Sequence, residues 1–227
     1  YKGVRDADGL LRFSEIFLEM GRGGGKNVIA SMLAFDAISD SSYKRYDVHV
    51  IANSEKQAKT SHNEVYYMID DNPLLQRPVY NTMTRIRYKL TGSEFSYHTS
   101  NSKTADGGRP GMVIFDEVHA YEDYEQIKVH TSGLGKKRDA RKVYITTNGN
   151  VREGAFDILE ARALDTLAND KPTNRMLPMI YRSPNDDEAE DEANWVKAVP
   201  LVEHWPPLLT EMRDQWETAQ VRPPLLV

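Results

Sequence analysis

The chain contains no cysteine, so it can form neither disulfide bonds nor thiolate metal sites. It has only six histidines, and their spacing matches no metal-ligand pattern. No apolar run approaches the roughly 20 residues of a membrane-spanning helix, and no secretory signal peptide is visible. These absences argue against a disulfide-stabilised, a thiolate-metal or a membrane-spanning protein.

Positive charge is not in excess either. Lysine and arginine number 29 against 34 aspartate and glutamate residues, which gives a formal net charge of −5 and a pI of about 5.7. This balance argues against a surface coated with positive charge for nucleic acid, although it leaves room for a local basic patch. With 227 residues, 40% of them hydrophobic, the chain is long enough to bury one large core and a small appendage.

A glycine-rich bend, GRGGGKN, stands between an apolar run and an apolar segment of helical period in residues 13–38. The order of strand, loop and helix is that of a nucleoside triphosphate site. Backbone N–H groups of residues 23–25 and of Lys26 would point at the phosphates, together with the helix N-terminus. Lys26 would add a mobile positive charge for the β- and γ-phosphates.

The bend departs from the usual G-x-x-x-x-G-K-[ST] pattern at two positions. Met20 occupies the first glycine position, and Asn27 occupies the position of the hydroxyl residue. Asn27 can still offer a carbonyl oxygen to Mg²⁺, although less well than a hydroxyl. Taken alone, such a bend is as often a tight connection as a phosphate site.

A second motif lies downstream, where the apolar run MVIFDE of residues 112–117 ends in two carboxylates. The pattern predicts a buried parallel strand whose tip reaches the same ligand crevice. Asp116 would hold Mg²⁺, and Glu117 would orient and deprotonate the attacking water. A strand that ends in two solvated acids is the simpler alternative, but it leaves the glycine-rich bend unexplained.

The remaining pattern alternates strands and helices, which is typical of a parallel sheet. Strands are predicted at 48–52 and 143–149, and a hairpin or two short strands within 85–99; helices are predicted at 27–39, 53–68, 118–128, 151–170 and 208–220. The fold class is therefore α/β. The predicted division is an ATPase core in residues 1–170 and an acidic, proline-rich linker subdomain in 171–227, where the acids at 186–192 would begin a helix reaching Val199.

Three segments, GRGGGKN, MVIFDEVHAY and ITTNG, together resemble motifs of the large terminase subunit of tailed bacteriophages, in the branch typified by phage HK97. They correspond to that family's phosphate loop, acidic motif and coupling motif. The resemblance implies a RecA-like (ASCE) P-loop NTPase with a mostly parallel central sheet flanked by helices and a small C-terminal linker subdomain. The family's nuclease domain is not expected within these residues.

The resemblance also implies roles for single residues, with Asn27 departing from the serine or threonine usual in the family. The expected nucleotide-binding residues are Gly21, Arg22, Gly23, Gly24, Gly25, Lys26 and Asn27. The expected Mg²⁺ ligands are Asp116 and Asn27. The expected catalytic and coupling residues are Glu117, Lys26, Arg22, Thr146, Thr147 and Asn148, although a strand that simply ends in turn residues also explains the last three.

The implied activity is Mg²⁺-dependent ATP hydrolysis that moves double-stranded DNA into a procapsid in the host cytoplasm. The implied partners are DNA, a portal protein, a small terminase subunit and further copies in a homo-oligomeric ring, with no membrane. An arginine from a neighbouring subunit is expected at the nucleotide. Arg138 and Arg141 are candidates for it, because the basic stretch GLGKKRDARK is expected to be an exposed loop on the nucleotide side of the sheet. A solvated connector is the alternative interpretation of that stretch.

Two other functions remain open at this point. The residues from Asp116 to His119 spell the D-E-x-H box of superfamily 2 helicases, which need a second RecA-like lobe. A non-hydrolysing regulatory module that only binds nucleotide is the alternative outside enzymes, and Glu117 argues against it because such a module needs no carboxylate there.

Overall fold

The structure is a computed structural model that describes residues 3–99, 109–149, 151–169, 174–183 and 185–221. Its strands are β1 (Glu15–Glu19), β2 (Val48–Ala52), β3 (Val79–Thr82), β4 (Arg85–Tyr88), β5 (Glu94–Thr99), β6 (Met112–Asp116), β7 (Arg141–Thr146) and β8 (Met176–Ile180). They form one eight-stranded sheet in the order β3-β4-β5-β2-β6-β7-β1-β8.

Six neighbouring strands, from β5 to β8 in the sheet order, are parallel. The hairpin of β3 and β4 extends one side in the antiparallel sense. Every residue of β6 is buried, which explains why its sequence is a continuous apolar run rather than an alternating one. The predicted fold class, an α/β protein with a mostly parallel central sheet, is confirmed.

The helices are α1 (Lys26–Ser39), α2 (Glu55–Asp70), α3 (Pro73–Gln76), α4 (Glu125–Thr131), α5 (Ala155–Ala168), α6 (Asp186–Ala189), α7 (Trp195–Ala198) and α8 (Pro206–Val221). Helix α2 begins after Ser54, whose side chain accepts a hydrogen bond from the backbone N–H of Gln57, as an N-cap residue does. In the described part of the chain, no helix is both long enough and apolar enough to cross a membrane.

The described residues form two compact units. The first comprises the residues up to Glu19 and those from Lys26 to Ile180, and it holds the whole sheet. The second comprises Met20–Gly25 together with the residues from Tyr181 onward. The boundary predicted at 170/171 lies outside the described residues, but β8 continues the sheet of the first unit to Ile180.

The structure differs from the predicted helices in two places. Instead of one helix over 118–128, a 3-10 turn at Val118–Ala120 precedes α4. The chain is extended at the buried Tyr121, whose hydroxyl donates a hydrogen bond to the carbonyl of Ile51, so this residue interrupts the helix. Instead of one helix reaching Val199, the second unit has the short helices α6 and α7, separated by a 3-10 turn.

Candidate functional site

The candidate site lies where three parallel strands end. In the sheet register, Glu19 at the end of β1 pairs with Thr146 of β7, and Asp116 at the end of β6 pairs with Ile145. The carboxyl ends of β1, β6 and β7 therefore meet at one edge of the sheet. Ligands of open α/β sheets bind at this edge, and the predicted acids follow one of these strands.

Lys26 and Asn27 form the start of α1, in the same unit as the acids. Lys26 is buried, with 5% of its surface exposed, and Asp116 is buried with 1% exposed. Nδ2 of Asn27 lies 3.5 Å from Oδ2 of Asp116. The fold thus brings Lys26 and Asn27 to the same site as Asp116, although about 90 residues separate them in the chain.

The pKa of Asp116 is raised to about 7, first by burial and then by the neighbouring charge of Glu117, while the charge of Lys26 opposes both. Burial acts in this direction because it disfavours the charged form of a carboxyl group. Near neutral pH this group therefore changes protonation readily, and a cation that binds beside it would displace the proton.

The surroundings of Asp116 suit a magnesium ion that arrives with a nucleotide. Oδ1 of Asp116 is buried and has no hydrogen-bond partner among the described residues, and a buried polar atom of this kind normally has one. The described residues contain no group of three or more side chains that could hold a metal by themselves. Mg²⁺ is usually held by one or two carboxylates, waters and substrate phosphates, so this donor set fits it.

Glu117 has an unusual backbone conformation, with φ 51° and ψ 55°. Residues other than glycine seldom adopt this left-handed region, and such strain is concentrated at functional sites. Burial alone would raise the pKa of Glu117, but the nearby His119 ring and the charge of Lys26 outweigh it and lower the pKa. A carboxylate that is ionised at neutral pH can accept a proton from water.

His119 is the residue of this site that the sequence analysis missed. Its Nδ1 lies 3.1 Å from Oε2 of Glu117, which is an ion-pair distance without the alignment of a hydrogen bond. The same nitrogen lies 3.3 Å from Oγ1 of both Thr146 and Thr147. A Cβ at Gly149 would come within 2.6 Å of the ring, so only glycine fits there. The D-E-x-H spelling was the available signal.

The end of β7 is tied to this histidine through its backbone as well. The His119 N–H donates to Oγ1 of Thr146 at 3.1 Å, and this hydroxyl donates to the carbonyl of Thr147 at 2.7 Å. Asn148, the third residue predicted for coupling, is exposed. Thr146 and Thr147 thus contact the ring that faces Glu117, while Asn148 points to solvent.

The glycine-rich bend belongs to the second unit. Gly23 and Gly25 have φ values of 78° and 89°, which glycine adopts without the steric cost other residues have. The N–H of Gly24 donates to the carbonyl of Gly21 at 3.2 Å. Arg22 is exposed. The bend therefore has the alternating left-handed conformation of anion-binding loops, and it joins Glu19 to Lys26 along the chain.

The family model of the terminase large subunit ATPase domain matches residues 2–163. The chain belongs to this family. Among curated proteins, the terminase large subunit of Lactococcus phage p2 is 28% identical to it over 221 residues, which are 93% of this chain and 40% of the relative. This terminase chain thus spans less than half the length of that relative.

Solved structures agree on the fold. The large terminase of bacteriophage HK97 aligns with a TM-score of 0.72 and 20% identity, covering 83% of this chain and 40% of that one. The large terminase of the thermophilic bacteriophage D6E in complex with ADP aligns with a TM-score of 0.55 and 14% identity, covering 78% of this chain and 42% of that one. Both likenesses concern the RecA-like fold.

The prediction that Arg138 and Arg141 lie in an exposed loop on the nucleotide side of this terminase domain is wrong. Arg141 is the first residue of β7 and pairs with Met112, the first residue of β6. The loop before it therefore lies at the amino edge of the sheet, opposite the acids. Arg141 is also buried, with Nη1 donating to the Tyr46 hydroxyl at 3.1 Å. Arg138 is exposed but belongs to the same loop.

Proposed function

We propose that this chain is the ATPase motor domain of a phage DNA-packaging terminase, which hydrolyses ATP with Mg²⁺ to move double-stranded DNA into a procapsid. The observation that carries the proposal is the cluster of Lys26, Asp116, Glu117 and His119 at the carboxyl edge of the sheet. Membership of the terminase ATPase family and the ADP complex of the D6E relative support it.

In the proposed reaction, Lys26 binds the phosphates together with amides of the glycine-rich bend other than those of Gly21 and Gly24, which donate to protein carbonyls. The exposed Arg22 can also reach the phosphates. Asp116 and Asn27 are the residues that would hold the metal. Bound Mg²⁺ would neutralise the charge of the β- and γ-phosphates. These residues would orient the triphosphate, and preorganised charge of this kind is the main catalytic contribution.

Glu117 is the general base of this proposal. Its carboxylate accepts a proton from the water as the water oxygen bonds to the γ-phosphorus, and the bond from phosphorus to the β-phosphate oxygen breaks to release ADP. His119 keeps the carboxylate ionised and oriented. Thr147, which touches the same ring, would sense the loss of the γ-phosphate and pass this change into β7.

The proposed assembly is a homo-oligomeric ring in the host cytoplasm that works with a portal protein and a small terminase subunit. An arginine from the neighbouring subunit stays part of this proposal; the buried Arg141 is not available for it, whereas the exposed Arg138 stays a candidate. A superfamily 2 helicase is the second candidate, because of the D-E-x-H box. The described residues contain one mostly parallel sheet rather than two RecA-like lobes, so strand separation by this chain alone would be needed to favour a helicase.

The test is Glu117→Gln, with the exposed Glu122→Gln as a matched control. We expect Glu117→Gln to bind ATP like the wild type and to release phosphate at least roughly 100-fold more slowly, because loss of a general base costs about 10²–10⁴ in rate. Calorimetry with ATP and phosphate release with and without double-stranded DNA measure the two properties. If both variants behave alike, Glu117 is not the base. A wild type that binds ATP but releases no phosphate would favour the regulatory module.

A further inference from the structure

The glycine-rich bend is attached to the C-terminal segment by a backbone hydrogen bond within the second unit. The N–H of Gly21 donates to the carbonyl oxygen of Ala198, the last residue of α7, at 2.9 Å. The first amide of the proposed phosphate loop is thus bound by protein. Its position depends on residues that lie about 180 positions further along the chain.

Close packing accompanies this hydrogen bond. A Cβ at Gly21 would lie 2.5 Å from Cγ2 of Val199 and 3.2 Å from the carbonyl oxygen of Ala198. Gly21, unlike Gly23 and Gly25, does not have a positive φ. Its lack of a side chain is therefore required by the approach of Val199 and not by its own backbone conformation.

The segment that carries Val199 is itself fixed. Nε1 of Trp195 donates to the carbonyl of Ala189 at 2.8 Å, and its ring packs against Trp216 of α8 with the centroids 6.0 Å apart. The N–H of Val199 donates to the carbonyl of Trp195 at 2.9 Å, and the Val199 side chain is buried. The bend thus rests against a surface held in place by α7 and α8.

We propose that Ala198 and Val199 are positioning residues for the phosphate-binding loop, which they hold in its nucleotide-binding conformation. The inference rests on the proposed function, because it takes the bend to be that loop. A loop held in its bound conformation loses less conformational entropy when the ligand arrives. The C-terminal segment therefore sets nucleotide affinity without touching the reacting atoms.

The test is a pair of compensating substitutions in the 227-residue chain, with ATPγS affinity measured by calorimetry. Gly21→Ala should weaken binding at least about tenfold, because its Cβ forces the bend away from Val199. Val199→Ala should weaken binding only about threefold and leave kcat unchanged, because the loop loses packing but keeps its hydrogen bond. The double variant should return to the affinity of Val199→Ala, because the new methyl group then occupies the vacated space.

Gly135→Ala is the matched control, since a Cβ there meets no atom within 4 Å, and it should bind like the wild type. Equal weakness of Gly21→Ala and the double variant would overturn the inference, as would wild-type affinity in Gly21→Ala. If Gly21→Ala fails to fold, Val199→Ala still tests the inference. An unchanged ATPγS affinity or a lowered kcat in Val199→Ala would contradict a positioning role. Failure of the wild type to bind ATPγS would instead refute the proposed function.

Discussion

Replacing Asp116 by Asn should stabilise the protein at neutral pH while weakening its proposed metal site, because a neutral amide replaces the carboxylate. In the absence of nucleotide and metal, Asp116 is a buried carboxyl group whose pKa is raised to about 7 by burial and by Glu117. The unfolded chain exposes it, so that its pKa falls to the ordinary 3.8. An asparagine has the same shape and carries no charge that must be buried.

The sign and size of the effect follow from proton linkage. Between pH 3.8 and about 7 the folded state holds a proton that the unfolded state has lost. The contribution of Asp116 to stability is therefore fully present below pH 3.8 and is lost as the pH rises through 7. The total loss is at most about 4 kcal/mol, at about 1.4 kcal/mol for each pH unit of the shift, and about 3 kcal/mol of it falls between pH 5 and pH 8.

The assay is urea unfolding at pH 5 and pH 8 with EDTA present. The free energy of unfolding of the wild type should fall between these values by about 3 kcal/mol more than that of Asp116→Asn. Asp70→Asn, at an exposed position of α2, is the control and should keep the pH dependence of the wild type. If Asp116→Asn also keeps it, the raised pKa and the buried charge inferred from the structure are wrong.

Two further predictions concern the same cluster. His119→Ala should leave ATP affinity unchanged and lower kcat about tenfold. The acidic limb of its pH–rate profile should move to higher pH, because the pKa of Glu117 rises when the His119 ring no longer opposes the effect of burial. His119→Asn, whose polar amide can still lie beside the Glu117 carboxylate, should recover part of the rate. A pH–rate profile unchanged in both variants would exclude this role of His119. Asn27→Thr should lower the Mg²⁺ concentration needed for half-maximal hydrolysis, because a hydroxyl is the better ligand, and an unchanged requirement would show that Asn27 is no ligand.

Several elements of the fold were predictable because their signals are local. The strand β6 is a continuous apolar run up to its final aspartate, and β2 is apolar except for His49; such runs are typical of strands buried on both faces. The helix α1 follows a glycine-rich bend, and its apolar residues recur at a helical period. Asp116 is the last residue of β6 and Glu117 comes directly after it, so their position at a strand end could be predicted from the apolar run before them.

Other elements were missed because their local signals are weak. The strand β8 contains Pro178, which argues against a strand inside a sheet. In the described sheet β8 is an edge strand beside β1. A proline is tolerated in an edge strand because the strand has a neighbour on one side and need not use every N–H in the sheet. The strand β3 has only four residues and also lies at an edge.

Which edge of the sheet a loop occupies depends on the strand order, and this explains the error over the arginines. Residues 133–142 are basic, and their composition suggests an exposed loop. Their position opposite the acids depends on β7 lying parallel to β6. The burial of Arg141 depends on two tyrosines, Tyr43 and Tyr46, about 100 positions earlier in the chain. No pattern within the stretch itself carries that information.

The candidate residues for phosphate, metal and water could be read from the sequence, because their motifs are short and continuous. How each side chain behaves depends on its surroundings in the folded protein. Asp116 and Glu117 are adjacent carboxylic acids, yet the pKa of the first is raised and that of the second is lowered. The difference comes from the deep burial of Asp116, whose pKa the charge of Glu117 also raises, and from His119, which lowers the pKa of Glu117. The burial depends on how distant parts of the chain pack together.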